Sequence, residues 1–291
     1  MEYSIHNQRI SMTISSHGGE PKRIQSSDGT DYLFRGNPEF WPGSAPHLFP
    51  FIGRLFEQRY TYGGNSYPLS IHGFLKDTEL SLEEKIDDRL VLRLNADEKT
   101  LACYPFRFTL KLSYTLEENR VRIGYLVRNE DDKEMPYAIG GHPGFNVPLE
   151  SNLSFEDYYL EFSGDCSPLR AEPTPSNLLN GRYLDFPLTD GNRIPLRHDL
   201  FDNDAIILKN TSGNVTLKSD KGTRAVKVDY EGFRYIGFWH TVKSNAPFVC
   251  IEPWTALQGF EDTIQEIDKN DDMILLKKGE ENLNEIIIAI I

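Results

Sequence analysis

Three side chains that can transfer a proton, His72, His142 and Glu252, each have glycine, proline or aromatic neighbours in the sequence. Such neighbours suit a backbone bend at the wall of a pocket, because glycine lets the chain turn sharply and lets a ligand approach it closely. The three positions are 70 and 110 residues apart, so only the fold can bring them together. If they converge, they supply an acid, a base and a polar anchor, which is enough for general acid–base chemistry on a neutral substrate.

Glu252 follows an apolar segment, residues 248–251, which is predicted to be a strand, and Pro253 is predicted to end its pairing. A carboxylate in that place is partly desolvated, which raises its proton affinity and makes it a better base near neutral pH. Trp254 adds an aromatic face of the kind that lines sugar sites. The alternative is a structural glutamate that pairs with an arginine at a sheet edge.

His142 lies between a glycine and a proline, and His72 is followed by Gly73. Because histidine changes charge near neutral pH, it can donate a proton in one half of a reaction and recover it in the other. Either histidine could instead be hydrogen-bonded in a tight loop without a chemical role. Arg54 is a cation within the apolar run 51–55, so it is expected to need a carboxylate or a ligand oxygen as acceptor.

The motifs give no support to other site chemistries. The sequence has no His-Glu-x-x-His motif, no nucleophile elbow and no glycine-rich phosphate loop. Cys103, Cys166 and Cys250 form no Cys-x-x-Cys pair, so they indicate neither a zinc knuckle nor a disulfide framework. Zinc held by Glu252 and the two histidines is conceivable by ligand type, but the spacing does not favour it over proton transfer. We therefore predict no metal and no cofactor.

The composition narrows the class of partner. The chain has 291 residues, 39% of them hydrophobic, a net charge of −13 and a pI near 5.0. Nucleic acids and anionic membranes reward basic patches, so neither is expected as a partner, whereas a small molecule is. The N-terminus lacks the basic and apolar regions of a secretory signal, and the apolar run 286–291 is too short to span a bilayer. These features predict a cytoplasmic protein.

Hydrophobic residues alternate with polar ones wherever a period can be read. Residues 108–116 and 121–127 predict a long antiparallel hairpin, and 215–230 predict a second one. Helical periodicity is scarce, with at most a turn or two expected near 37–40 and 176–179. The proline-rich segment 163–195 is expected to be a loop over the surface. We predict an all-β fold, a large antiparallel β-sandwich that forms a single domain over residues 1–291.

At these residues the chain resembles the aldose 1-epimerase (mutarotase) family. The resemblance covers nearly the whole chain and is carried by short segments in a fixed order: 14–20, 37–41, 49–54, 141–146 and 251–254. The last two look like the shorter bacterial branch, whose members are often called mutarotase-like. The resemblance implies the galactose mutarotase-like β-supersandwich.

The resemblance also implies roles for individual residues. Glu252 matches the general base that takes the proton from the anomeric hydroxyl, and His142 matches the general acid that protonates the ring oxygen. His72 and Arg54 match positions that bind the substrate. An aspartate that binds sugar hydroxyls is expected near residue 204, with Asp204 preferred over Asp202. The segments before both histidines lack the asparagines of the well-studied galactose mutarotases, which puts the preferred sugar in doubt.

Three functions remain open from the sequence. The first is a cofactor-free enzyme, monomeric or homodimeric, that interconverts the anomers of a free aldohexose. The second is a hexose-6-phosphate mutarotase, which needs basic side chains at the pocket rim, and Arg54, Arg59 and Lys76 could supply them. The third is a carbohydrate-binding or sensing protein without turnover. The presence of both His142 and Glu252 argues against the third, since a binder needs no matched acid and base.

Overall fold

β-strands dominate the secondary structure of the chain, all 291 residues of which are described by a computed structural model. The longest strands alternate buried with less buried residues, as expected for strands packed on one face. The strands are β1 (Glu2–His6), β2 (Ile10–Ser15), β3 (Pro21–Ser26), β4 (His47–Leu48), β5 (Arg59–Tyr62), β6 (Asn65–Pro68), β7 (Ser81–Lys85), β8 (Arg89–Asn95), β9 (Phe108–Glu117), β10 (Arg120–Asn129), β11 (Met135–Tyr137), β12 (Gly140–Gly141), β13 (Gly144–Asn146), β14 (Tyr159–Phe162), β15 (Leu169–Pro173), β16 (Leu179–Asp185), β17 (Arg193–Pro195), β18 (Ile206–Lys209), β19 (Asn214–Lys218), β20 (Val226–Asp229), β21 (Tyr235–Trp239), β22 (Phe248–Trp254), β23 (Ile274–Leu276) and β24 (Glu281–Ile290).

Helical structure is limited to short pieces. The one α-helix, α1 (Glu98–Cys103), begins with a capping box in which Asp97 and Thr100 bond each other's backbone amides. No helix is long and apolar enough to cross a membrane. The 3₁₀ turns are Phe56–Gln58, Leu75–Asp77, Phe155–Asp157, His198–Phe201 and Ile267–Lys269.

Two large antiparallel sheets form the body of the fold. One has nine strands in the order β17-β14-β19-β20-β24-β10-β9-β8-β7. The other has eight, in the order β16-β15-β18-β21-β22-β12-β4, with β13 also pairing with β22. Smaller sheets are β1-β2-β3, β5-β6 and β11-β23. A core of 70 buried residues draws on both large sheets. The predicted all-β sandwich is therefore confirmed, as are the two hairpins, which are β9–β10 and β19–β20.

The local structure differs in three respects from what the sequence indicated. The segment 163–195 is not only loop, because it contains β15 and β16 of the eight-stranded sheet and β17 of the nine-stranded sheet. No helix forms at 37–40, which is a hydrogen-bonded turn, or at 176–179, where β16 begins. The helix α1 was not predicted, because six residues are too few to show a helical period.

Pro253 does not end the pairing of its strand. β22 runs on to Trp254, and Pro253 lies opposite Ile236 of β21. A proline lacks only its own N–H, so the residues on either side can keep their places in the sheet. Glu252 consequently lies inside a paired strand rather than at a strand end.

Candidate active site

The register of the eight-stranded sheet places His142 opposite Glu252. On one side of β22, Gly140 lies opposite Trp254 and Gly144 opposite Cys250. His142 lies midway between these glycines, which puts it across from Glu252. Successive side chains of a strand point to opposite faces, so residues two apart share a face. The antiparallel pairing of distant segments is therefore what brings the two candidate catalytic groups together.

Glycines leave room around these side chains. On the other side of β22, Gly237 lies opposite Glu252. A Cβ at Gly237 would be 3.3 Å from the Glu252 Cβ and 3.2 Å from the Trp254 ring, so any larger residue would press on both. A Cβ at Gly144 would likewise lie 3.1 Å from the Trp41 ring. The absence of side chains at Gly144 and Gly237 thus leaves room for Trp41, Glu252 and Trp254.

His142 and Glu252 form a buried pair. The His142 Nε2 lies 3.2 Å from a Glu252 carboxylate oxygen, and the two residues are 8% and 1% exposed. That distance suits an ion pair, but neither carboxylate oxygen receives a directed hydrogen bond from the protein. No arginine pairs with Glu252, so the structural alternative for this glutamate fails. A buried carboxylate without donors is free to accept a proton from a ligand.

Burial moves the two pKa values in opposite directions. Desolvation raises the pKa of Glu252 well above its ordinary value, and the negative charge of Asp204 adds to this rise. Desolvation lowers the pKa of His142 to about 4. Over the range between these values the pair holds a single proton. Burial thus raises the proton affinity of Glu252, in the direction that the sequence indicated.

His72 is held in place by the backbone. It has a left-handed conformation with φ of 65°, and its Nδ1 accepts a hydrogen bond of 3.1 Å from the Gly53 amide. Burial lowers its pKa well below the ordinary value, so the ring is neutral and its one proton is on Nε2. The His72 ring lies 5.5 Å from the His142 ring, centroid to centroid. His72 is therefore oriented as a neutral hydrogen-bond donor beside the pair.

A cavity of about 400 Å³ opens over the pair and is large enough for a monosaccharide. Every residue predicted for the site lines it: Arg54, His72, His142, Asp204, Glu252 and Trp254. Asp202, the alternative to Asp204, is exposed and does not line it. Lys76 lines the cavity too, whereas Arg59 does not and pairs with Glu57.

Arg54 differs from the expectation in one respect. Its side chain is exposed at the cavity although its neighbours in sequence are buried, and it makes no ion pair with any carboxylate of the protein. The apolar run indicated a buried cation that needs a carboxylate or a ligand oxygen as acceptor, and no carboxylate of the protein takes that place. Instead, Gly53 has a positive φ of 68°, and the chain turns there.

Two tryptophans that line the cavity were not predicted as site residues. The Trp41 ring lies 5.0 Å from the His142 ring, and the Trp239 ring lies 5.6 Å from it, centroid to centroid. Both are partly exposed, while Trp254 is only 3% exposed. Trp41 belongs to the segment 37–41, which carried part of the family resemblance and could have pointed to it. Trp239 gave no signal beyond its place in a strand.

The donor set of the site could also hold a metal ion. His142, Cys250 and Glu252 are all buried, and each offers a ligand atom within 4.8 Å of the other two. Cys250 shares the face of Glu252, two residues along β22. His72 is not part of this group, which differs from the zinc set considered from the sequence.

The chain belongs to the aldose 1-epimerase family, whose model matches residues 1–288. It is 34% identical over 266 residues to the plasmid-encoded protein LacX of Lactococcus lactis subsp. lactis, which covers 88% of each chain. The structure is similar to that of a galactose mutarotase related enzyme from Lactobacillus acidophilus, with a TM-score of 0.95, 30% identity and coverage of 100% of this chain and 97% of the other. It is also similar to a galactose mutarotase-like protein from Lactobacillus casei, with a TM-score of 0.93, 30% identity and full coverage of both chains.

Proposed function

We propose that the protein is an aldose 1-epimerase that interconverts the α and β anomers of a free aldohexose. The observation that carries the proposal is the buried His142–Glu252 pair at 3.2 Å on the floor of a cavity of about 400 Å³. Membership of the aldose 1-epimerase family supports the reaction class.

The distance within the pair suits the chemistry of an anomeric centre. The hydroxyl that must lose a proton and the ring oxygen that must gain one are bonded to the same carbon, C1. A base and an acid that act on them must therefore lie close together, each within hydrogen-bond reach of its own oxygen. Two groups already in contact on one sheet face meet this requirement once a sugar approaches from the cavity.

The reaction we propose is a proton transfer at each oxygen. The reacting form of the pair is the one in which its single proton is on His142 and Glu252 is ionised. Glu252 takes the proton of the anomeric hydroxyl, the electron pair of that O1–H bond forms the second bond between O1 and C1, and the C1–ring-oxygen bond breaks. Its electron pair takes a proton from His142, which gives the open-chain aldehyde. Rotation about C1–C2 presents the other carbonyl face, and the reverse transfers close the ring. The pair holds one proton at the start and one at the end, so the cycle needs no cofactor.

The other lining residues would bind the ring hydroxyls. His72 offers its Nε2–H, and Arg54 offers unpaired guanidinium N–H groups. Asp204 can accept hydrogen bonds from hydroxyls, and its left-handed backbone, with φ of 69°, precedes β18 at the cavity wall. Trp254 supplies an apolar surface next to Glu252.

Polarimetry on freshly dissolved α-galactose and α-glucose tests the proposal. Purified protein should speed the approach to anomeric equilibrium well beyond the spontaneous rate. His142→Asn, purified in the same way, should lose most of this acceleration, which also excludes a contaminating host enzyme. Sugar binding without acceleration by the wild type would overturn the proposal and favour a carbohydrate-binding protein.

A hexose 6-phosphate is a second candidate substrate, and the unpaired Arg54 is the observation that favours it. Arg54 and Lys76 both line the cavity, and their positive charges both act on His72. An arginine without a carboxylate partner can form a bidentate contact with a phosphate. Lys76, however, already contacts Asp77, and the protein as a whole carries a charge of −13. Comparing kcat/KM for each sugar and its 6-phosphate distinguishes the two candidates.

A further inference from the structure

We infer that His142, Cys250 and Glu252 form an inhibitory binding site for a thiophilic divalent cation such as Zn²⁺ or Cd²⁺. The binding itself is independent of the proposed function, whereas the inhibition rests on it. Metal at this place would occupy the two groups that the reaction needs for proton transfer. The site would therefore block turnover, not assist it.

The three side chains converge because of the sheet register. Cys250 and Glu252 are two residues apart on β22 and share a face, and His142 lies across from Glu252 on the neighbouring segment. All three are at least nine-tenths buried, with exposures of 8% for His142, 0% for Cys250 and 1% for Glu252. Their convergence is fixed by paired backbone and does not depend on a mobile loop.

Buried polar atoms of these side chains that lack a hydrogen-bond partner point to a ligand. Both oxygens of Glu252 and the Nδ1 of His142 are buried without a hydrogen-bond partner. A buried carboxylate without donors is costly unless a proton, a hydroxyl or a cation compensates it. The ligand atoms lie within 4.8 Å of one another. Zinc–ligand bonds of about 2.0–2.3 Å require separations of about 3.3–3.6 Å in a tetrahedron, so modest side-chain rotation is enough.

The donor types select the kind of cation. One thiol, one imidazole and one carboxylate suit Zn²⁺ and Cd²⁺ better than Mg²⁺ or Ca²⁺, which prefer oxygen ligands. On binding, the thiol proton and the single proton of the His142–Glu252 pair leave to solvent. Sulfur and carboxylate then coordinate as anions and His142 as a neutral nitrogen. A water molecule would complete the tetrahedron as the fourth ligand.

Cys250 distinguishes the metal site from the sugar site, because His142 and Glu252 line the sugar cavity and Cys250 does not. The thiol is fully buried, and a Cβ at Gly144 would be 3.4 Å from its sulfur. A cation held by His142 and Glu252 would gain this sulfur as its third ligand. Cys103 and Cys166 are partly exposed and lie outside this group, so they are natural controls.

The test titrates full-length protein, first stripped with a chelator, with Cd²⁺ and with Zn²⁺. Cd²⁺ should produce the ultraviolet sulfur-to-cadmium charge-transfer band, and Zn²⁺ should inhibit anomer interconversion. Cys250→Ala and Cys250→Ser should lose the band and need about 10- to 100-fold more Zn²⁺ for half-inhibition, relative to each variant's own metal-free rate. Cys103→Ala and Cys166→Ala should behave like the wild type.

The outcomes separate the two proposals. No band in the wild type, or a band that persists in a folded Cys250→Ala or Cys250→Ser variant, overturns the metal site. A band that depends on Cys250 in a protein without sugar turnover supports the metal site and overturns the proposed function. Saturating galactose should weaken Cd²⁺ binding, because sugar and metal compete for Glu252.

Discussion

Replacing Glu252 by glutamine should remove nearly all catalysis and leave the fold intact. Glutamine keeps the length and shape of the side chain in a place where Gly237 leaves little spare room. Its amide can still donate to the His142 Nε2, which lies 3.2 Å from the carboxylate oxygen. It cannot accept the proton of the anomeric hydroxyl. The variant therefore isolates the loss of the base from any loss of packing.

The size of the effect follows from general acid–base catalysis. Assistance by one positioned group is worth about 10²–10⁴ in rate, or about 3–5 kcal/mol of barrier. Sugar binding should change by only a few-fold, because the variant keeps His72, Arg54 and Asp204, which we propose bind the hydroxyls. Stability should change little, because glutamine has nearly the same shape and is neutral, like the protonated form of Glu252 that the raised pKa favours when no sugar is bound.

Polarimetry on freshly dissolved sugar measures the rate, and calorimetry with sugar at anomeric equilibrium measures binding. Glu161→Gln is the matched control, because Glu161 is a partly buried strand glutamate on β14 that pairs with Arg193 and Lys218 away from the cavity. It should keep wild-type turnover. If Glu252→Gln keeps more than about a tenth of the wild-type rate, Glu252 is not the base.

Three further predictions follow from the site. The plot of kcat/KM against pH should be bell-shaped: below about pH 4 His142 gains a second proton and no base remains, and above the raised pKa of Glu252 the pair loses its only proton. A profile without an acid limb would contradict the single-proton pair. Gly237→Ala should displace Glu252 and lower kcat by up to about 10²-fold. Gly164→Ala is the control, because a Cβ there has no atom within 4 Å and should leave kcat unchanged. Steady-state kinetics on both variants measures the difference. Glucose should have a higher kcat/KM than its 6-phosphate; a preference of about tenfold for the phosphate, abolished by Arg54→Ala, would establish the second candidate instead.

The sequence predicted the fold class because strand alternation is a local signal. Residues 108–116 and 121–127 alternate so regularly that the hairpin β9–β10 could be read directly. The segment 163–195 could not, because β15 ends in a proline and β16 contains a glycine and exposed polar residues. Their pairing is set by neighbouring strands of the sheet rather than by their own composition.

The candidate site was predicted by residue type, but its geometry was not. Nothing in the sequence shows that residue 142 lies opposite residue 252, since that depends on strand order and register across 110 residues. The order in which His142 and Glu252 titrate also depends on burial, which is a property of the folded chain. Trp41 and Trp239 were missed because their place beside His142 also depends on the folded chain.

The site illustrates how a paired sheet can hold reactive groups at a fixed distance. A central strand is a rigid support, and three glycines, Gly140, Gly144 and Gly237, give up side-chain packing so that functional groups fit between neighbours. Each glycine costs about 0.5–1 kcal/mol relative to alanine, and the carboxyl of Glu252 is buried without a donor. The fold tolerates these costs because β22 also contributes to a core of 70 buried residues. The three glycines and the unpaired carboxyl of Glu252 thus lie at one place. A ligand bound there can supply the hydrogen bonds that the protein does not give to Glu252.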